Sequence, residues 1–390
     1  MAGANARRVA VAMSGGLDST MAAALLLERG FRVEGLTMCL WRDDARRDDA
    51  RREGPRPREG PRPREGPRAR EGPRAREGPR AREDDAVEAA RGACAALGIR
   101  HHAVDMRQQF LQDVVSCFLD EYARGRTPNP CLECNRALKF GGLLEWARRE
   151  GFDMLATGHY ARIEERAGGY VLLAGRDRRK DQSYFLYALG QAQLAQLLFP
   201  LGALTKEGVR EMARARGLAA AERAESQDVC FLPAGDYRRF VARRRPEALA
   251  PGPIYDRAGR LLGEHRGLAA YTIGQRGGLG IAAPRPLYVL EIDPARNALV
   301  VGPAEALGRR ALEAEAVSYV SGEAPAEGLA VEARIRYRAT PRPAHVWPQA
   351  GGRLRVAFAE AVRDITPGQA VVLYRGDEVL GGGVIARASA

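Results

Sequence analysis

No apolar run in the 390 residues approaches the roughly 20 needed to cross a bilayer, so a membrane-spanning helix is excluded. The opening residues, Met1 to Arg8, lack the apolar centre of an export signal and pass straight into a strand-like segment. A cytoplasmic protein without a membrane partner is therefore expected. A disulfide framework is not expected either. Six cysteines, at positions 39, 94, 117, 131, 134 and 230, are spread through a large chain and should mostly be reduced. A working cysteine here is catalytic, metal-binding or redox-active rather than a staple. What the chain does have is enough hydrophobic sequence, 45%, for a sizeable core in two or three domains. It also has an excess of base, 61 Lys and Arg against 49 Asp and Glu, for a net charge of +12. That balance points toward a polyanionic partner, although an Arg- and Ala-rich composition alone can produce it.

One segment stands apart. From Glu53 to Arg82 a hexamer repeats five times, EGPRPR twice and EGPRAR three times. Ala is its only hydrophobic residue, so it cannot bury enough surface to offset chain entropy, and its Gly-Pro pairs break helices and strands. Residues 42–85 are expected to be a disordered insert, either a neutral expansion or an arginine arm that helps collect RNA. They carry 15 Arg against 12 acidic residues, which leaves +9 of the +12 on the rest of the chain.

Elsewhere, strand and helix patterns alternate up to about residue 232. Strands are expected at Val9–Met13, Arg32–Met38, His101–Val104 and Met154–Thr157. Helices are expected at Leu17–Arg29, Ala86–Leu97, Gln108–Arg124, Asn135–Arg149 and Thr205–Arg216, the last N-capped by Thr205. This alternation predicts a doubly wound parallel α/β sheet. Beyond Pro233, short runs of β-formers separated by Pro- and Gly-rich turns predict a small linking domain over 233–303 and a β-barrel over 304–390. The α/β domain takes 1–232.

Two constellations carry chemistry. Val11-Ala12-Met13-Ser14-Gly15-Gly16-Leu17-Asp18-Ser19 lies between a strand and a helix. Paired glycines allow close approach of an anion, two serines offer hydroxyls, and the helix start offers free N–H groups. Asp18 fits such a site if Mg²⁺ stands between it and the phosphates. The string resembles the PP-loop of ATP pyrophosphatases, which cleave ATP between the α and β phosphates. The second constellation is Thr127-Pro128-Asn129-Pro130-Cys131-Leu132-Glu133-Cys134-Asn135, with Cys134 placed near a helix start where the dipole favours a thiolate. Cys230, in ESQDVCF, can join it only through folding. A redox pair, a three-thiol metal or iron–sulfur site, and a sulfur-relay pair all remain open. Cys39, Cys94 and Cys117 read as inert, buried residues.

The ordered set of strings resembles the tRNA-specific 2-thiouridylase family. It comprises SGGLDS, TPNPCLECN with Ala137–Phe140, ATGHYAR, KDQSYFL, ESQDVCF, YTIGQR, Arg336–Arg338, TPGQ and LGGG. The resemblance implies a PP-loop, adenine nucleotide alpha hydrolase-like α/β domain. It also implies an ATP- and Mg²⁺-dependent sulfurtransferase acting on the wobble uridine of Lys-, Glu- and Gln-type tRNAs, supplied by a persulfide-bearing donor protein. By position, Cys230 carries the persulfide and Cys134 is its partner. Ala12, Met13, Ser14, Gly15, Gly16, Leu17, Asp18, Ser19, Met38 and Gly158 contact ATP. Asn129, Pro130 and Cys131 meet the target base. His159, Lys180, Asp181, Gln182, Arg336, Tyr337 and Gln369 contact tRNA. Cys131 departs from the family, which more often has Asp there. That departure keeps a cluster held by Cys131, Cys134 and Cys230 as an alternative, alongside a small-molecule adenylating ligase.

Overall fold

The computed structural model describes residues 7–40, 79–223, 230–232 and 237–389, with side chains of the second stretch described from residue 86. Four strands, β1 (Arg8–Ala12), β2 (Arg32–Cys39), β3 (His101–Asp105) and β4 (Met154–Ala156), join Leu197–Leu198 in one parallel sheet. The order is β3-β2-β1-β4 and then Leu197–Leu198. Val9, Ala10 and Val11 of β1 are fully buried, as a central parallel strand covered on both faces requires. The chain runs outward from β1 to β3 and returns at β4, so the topological switch lies between β1 and β4. In such sheets a ligand crevice opens there, at the carboxyl ends of the strands. Helix α1 (Leu17–Glu28) follows β1 and buries most of its length. It stops at Gly30, whose φ of +83° suits the residue after a helix.

Most helices fall where the periodicity predicts, with three differences, one being that the helix expected from Asn135 starts at Pro130. The helix expected from Ala86 begins earlier, at Pro79, and runs to Ala96. The tail of the low-complexity segment therefore enters a helix, helped by proline at its first position. The rest of that segment, within 41–78, lies outside the described residues. The two long helices around Gln108–Arg124 and Asn135–Arg149 each contain a wide π-helical stretch, Phe110–Ser116 and Cys134–Leu143. Side-chain amides engage carbonyls of the second stretch: Gln109 Nε2 donates to Ala137 O at 3.2 Å and Gln193 Nε2 to Phe140 O at 2.8 Å. Insertions of this kind into the backbone ladder widen a helical turn.

A four-stranded sheet of Gly252–Asp256, Leu261–His265, Tyr288–Asp293 and Ala298–Gly302 comes next. Beyond it, Arg309–Tyr319 pairs with both Arg353–Val362 and Glu378–Ser389, which closes the last sheet into a barrel. The expected strand Val331–Tyr337 ends at Arg334, leaving Arg336 and Tyr337 in a turn. One element was not anticipated. A hairpin, β5 (Ala161–Arg166) with β6 (Gly169–Ala174), leaves the α/β region and adds to the barrel sheet through Leu172 and Leu173 opposite Val379 and Glu378.

Candidate functional site

The loop after β1 is shaped by close approach. Gly15 has φ +69°, and a Cβ there would lie 2.5 Å from Ala89. Gly158, just past β4, would place a Cβ 2.7 Å from the Asp18 backbone. Inside the loop, Ser14 N–H donates to Ser19 Oγ at 3.1 Å, and the Thr20 hydroxyl donates to Gly16 O at 2.9 Å. A cavity of about 230 Å³ opens beside it, at the switch between β1 and β4. Of the residues expected to meet nucleotide, Ala12, Met13, Ser14, Asp18, Ser19, Met38 and Gly158 line it, while Gly15, Gly16 and Leu17 supply the turn and helix start behind. Leu36, Lys139 and Thr157 line it as well, and sequence reasoning missed them.

Asp18 is fastened from the far side. Lys206 Nζ lies 2.8 Å from both of its carboxylate oxygens, and Tyr160 donates its hydroxyl to Oδ1 at 2.9 Å. Lys206 is 8% exposed. It stands at the first position of its helix, where a cation opposes the dipole. That misfit was the signal in the sequence that could have marked it. Arg223 also reaches this loop, donating to Gly15 O at 3.0 Å.

The thiols sit differently from expectation. The helix bearing Cys134 starts at Pro130, capped by Asn129, whose Oδ1 accepts from Cys131 N–H at 3.2 Å. Cys131 therefore occupies the first turn, and Cys134 lies beyond the reach of the free N–H groups that would favour a thiolate there. Surrounding protein pushes the thiols of both Cys131 and Cys134 up, with the nearby Lys139 ammonium pulling the other way. Cys230 keeps a solvent-exposed face, yet protein crowds its thiol and pushes it up to about 12. The next residue, Phe231, packs edge-on against Phe110 and Phe118 of the helix beside the one that bears Cys134, and Cys134 and Cys131, when ionised, push the Cys230 thiol up. Among the described residues, however, no three Cys, His, Asp or Glu side chains converge as a metal-holding set. The three thiols thus do not form a ready-made cluster site. Of the cysteines read as inert, Cys94 is buried and Cys39 half-buried, whereas Cys117 is exposed on the outer face of its helix.

The residues assigned to RNA divide into two groups. Arg336 is half exposed, 3.6 Å from Asp364, and Tyr337 packs against Phe185 with ring centres 4.5 Å apart. Lys180 is half-buried. The others are occupied inside the protein. Asp181, 2% exposed, pairs with Arg334 at 3.0 Å and accepts from the N–H groups of Gly175 and Ser183, so it has no face for RNA. Gln182 accepts from Tyr160 N–H and lines the cavity. His159 lines it too, bound to Thr157 at 2.6 Å and set between Phe140 and Phe199. Burial holds its imidazole well below the usual range, and so neutral. Pro130 is buried in the helix start. Gln369 donates from the barrel to Thr127 O at 2.7 Å, and the Gly368 turn lies against the same residue. Thr127 also meets Thr272, in a loop of the middle region, at 3.1 Å. The loop leading to Cys131 and Cys134 is thus gripped by both later regions.

Family models match in three consecutive pieces. The tRNA methyl transferase HUP domain matches 7–59 and 70–234, the tRNA methyl transferase PRC-barrel domain 238–303, and the aminomethyltransferase beta-barrel domain 309–385. Proteins named tRNA-specific 2-thiouridylase MnmA resemble the chain over nearly its whole length. The one from Roseiflexus sp. (strain RS-1) is 48% identical, covering 97% of this chain and 99% of the relative. That from Chloroflexus aurantiacus is 48% identical, covering 97% and 98%. That from Moorella thermoacetica is 48% identical, covering 96% and 98%. With three successive regions matched and near-complete coverage of each relative, the chain belongs to the tRNA-specific 2-thiouridylase family.

Proposed function

We propose that this protein forms 2-thiouridine in tRNA. ATP adenylates the 2-oxygen of the wobble uridine and pyrophosphate departs, which turns a poor leaving group into AMP. Cys230, loaded as a persulfide by a donor protein, then supplies the sulfur. In one route the terminal sulfur attacks C2 and expels AMP, and the Cys134 thiolate attacks the Cys230 sulfur, leaving sulfur on the base and a Cys134–Cys230 disulfide. In the other, Cys134 first displaces hydrosulfide, which attacks C2; the same disulfide results. Either way an external thiol reductant resets the enzyme.

The observation that carries this reading is the cavity built on the phosphate loop, in a chain whose Phe231 seats the Cys230 segment against the helix beside the one that bears Cys134. The cavity fits a nucleotide accompanied by Mg²⁺. Ser14 and Ser19 line it with hydroxyls 3.2 Å apart, and Asp18 lines it with three hydrogen bonds against about four acceptor sites, so acceptor capacity remains. Mg²⁺ would neutralise phosphate charge there. Residues 1–232 form the catalytic region, 233–303 link it, and 304–390 form the barrel that contacts tRNA, with Arg336 and Tyr337 on its accessible turn. Lys-, Glu- and Gln-type tRNAs are the expected substrates, and the cytoplasm the expected compartment.

The test is thiolation of tRNA transcripts with ATP and a persulfide source. Cys134→Ala and Cys230→Ala should each lower product about 10⁴-fold or more, while tRNA binding and pyrophosphate release persist. Full thiolation by either variant would refute the assignment.

A further inference from the structure

Lys139 has no role in the reading above, yet it bears on both halves of the site. It lines the nucleotide cavity together with Ser14 and Asp18. Its charge also acts on Cys131, Cys134 and Cys230. Helical form explains how one side chain does both. At 3.6 residues per turn, a residue five positions beyond Cys134 would point about 140° away from it. In the π-helical stretch Cys134–Leu143, hydrogen bonds close every fifth residue, which stacks position 139 over position 134. Gln109 and Gln193 hold carbonyls of that wide turn, and Gly142 gives Gln109 room, since a Cβ there would collide with it.

The neighbouring charges are otherwise engaged. Asp18 is paired with Lys206 and Glu133 with Arg136, and His159 is neutral. Among the described residues no carboxylate pairs with Lys139. A buried thiol that must become an anion and a polyphosphate that must be bound make the same demand, a nearby positive charge, and this ammonium is placed for both.

We propose that Lys139 is the shared cation of the two half-reactions, contacting the phosphates of the bound nucleotide and stabilising the Cys134 and Cys230 thiolates as they form. The proposal rests on the sulfur-transfer reading, and its test separates the two. Full-length wild type, Lys139→Met, Lys139→Gln and Lys139→Arg are compared in two assays that need no tRNA. One is the iodoacetamide alkylation rate at Cys134 and Cys230, resolved by peptide mass spectrometry at pH 8. The other is affinity for α,β-methylene ATP. Losing the charge should slow alkylation of Cys134 about tenfold and weaken the analogue about fivefold or more, and Lys139→Arg should recover both to within about threefold. Thermal melting identifies a misfolded variant; Lys139→Gln, close in length and polar, stands in should the Met variant unfold. Unchanged alkylation and affinity in a folded, uncharged variant overturn the proposal, as does a loss that arginine fails to recover. Should wild type release no pyrophosphate with tRNA, the proposed function falls, while these two assays still decide the role of Lys139.

Discussion

Asp18 in the phosphate loop is fastened by Lys206 and Tyr160, and the loop carbonyl of Gly15 by Arg223, whereas Cys134 and Cys230 both feel the ammonium of Lys139 through space. The nucleotide half is braced by direct hydrogen bonds from elements far away in sequence. The sulfur half is set by a helix start, a wide turn and a loop gripped by two other regions. The contrast suits the two tasks. Phosphates always arrive in one geometry, so fixed donors are useful before binding. A thiol that must accept a donor's sulfur, attack a base and then form a disulfide needs freedom around its Sγ. In the resting protein its surroundings favour the neutral thiol, which guards a reactive group against oxidation.

That difference can be sharpened in order of expected effect. In the resting enzyme, without tRNA or nucleotide, alkylation at Cys230 should climb about tenfold per pH unit, so roughly 100-fold from pH 7 to 9. The thiol is pushed up to about 12, and only the thiolate fraction reacts. A plateau by pH 8 would show that the sulfur half is already activated. Lys206→Met attacks the other half alone. Leaving Asp18 without its counter-ion should cost about 2 kcal/mol of nucleotide-site stabilisation and slow pyrophosphate release roughly 30-fold, with Cys134 alkylation unchanged. Equal losses in both assays would mean the halves are not separately built. Gln369→Ala removes the barrel's hydrogen bond to Thr127 and should lower thiolation about tenfold while ATP-analogue affinity stays constant. A fall in that affinity instead would place the barrel contact on the nucleotide side.

The sheet and the phosphate loop were legible in the sequence because both are local. A short apolar strand, a glycine pair and a largely apolar helix lie side by side in the chain, and that local pattern carries the fold. The site's supports were not legible, since they act at long range. Lys206 reaches Asp18 across 188 positions, and Gln369 reaches Thr127 across 242. The helix expected from Asn135 starts at Pro130 because Asn129-Pro130, an N-cap followed by a first-turn proline, opens it more than a turn earlier. The π-helical stretches escaped because an apolar stripe reads alike in α- and π-turns; the carbonyls taken by Gln109 and Gln193 appear only after folding. Asp181 looked like part of an exposed polar turn, but Arg334, 153 positions away, draws it inside.

The hairpin of β5 and β6 has a consequence for how the molecule can be divided. Its second strand, β6, pairs with the barrel sheet at Glu378 and Val379, so the last region is stitched to the first by backbone hydrogen bonds as well as by the connecting chain. Cutting the chain after the α/β region would strip Gly169–Ala174 of its neighbour and bare a strand edge rich in Tyr, Val and Leu, a template for unwanted pairing with other chains. The catalytic half is therefore not a detachable cassette, and the barrel serves it as a structural partner whether or not RNA is bound.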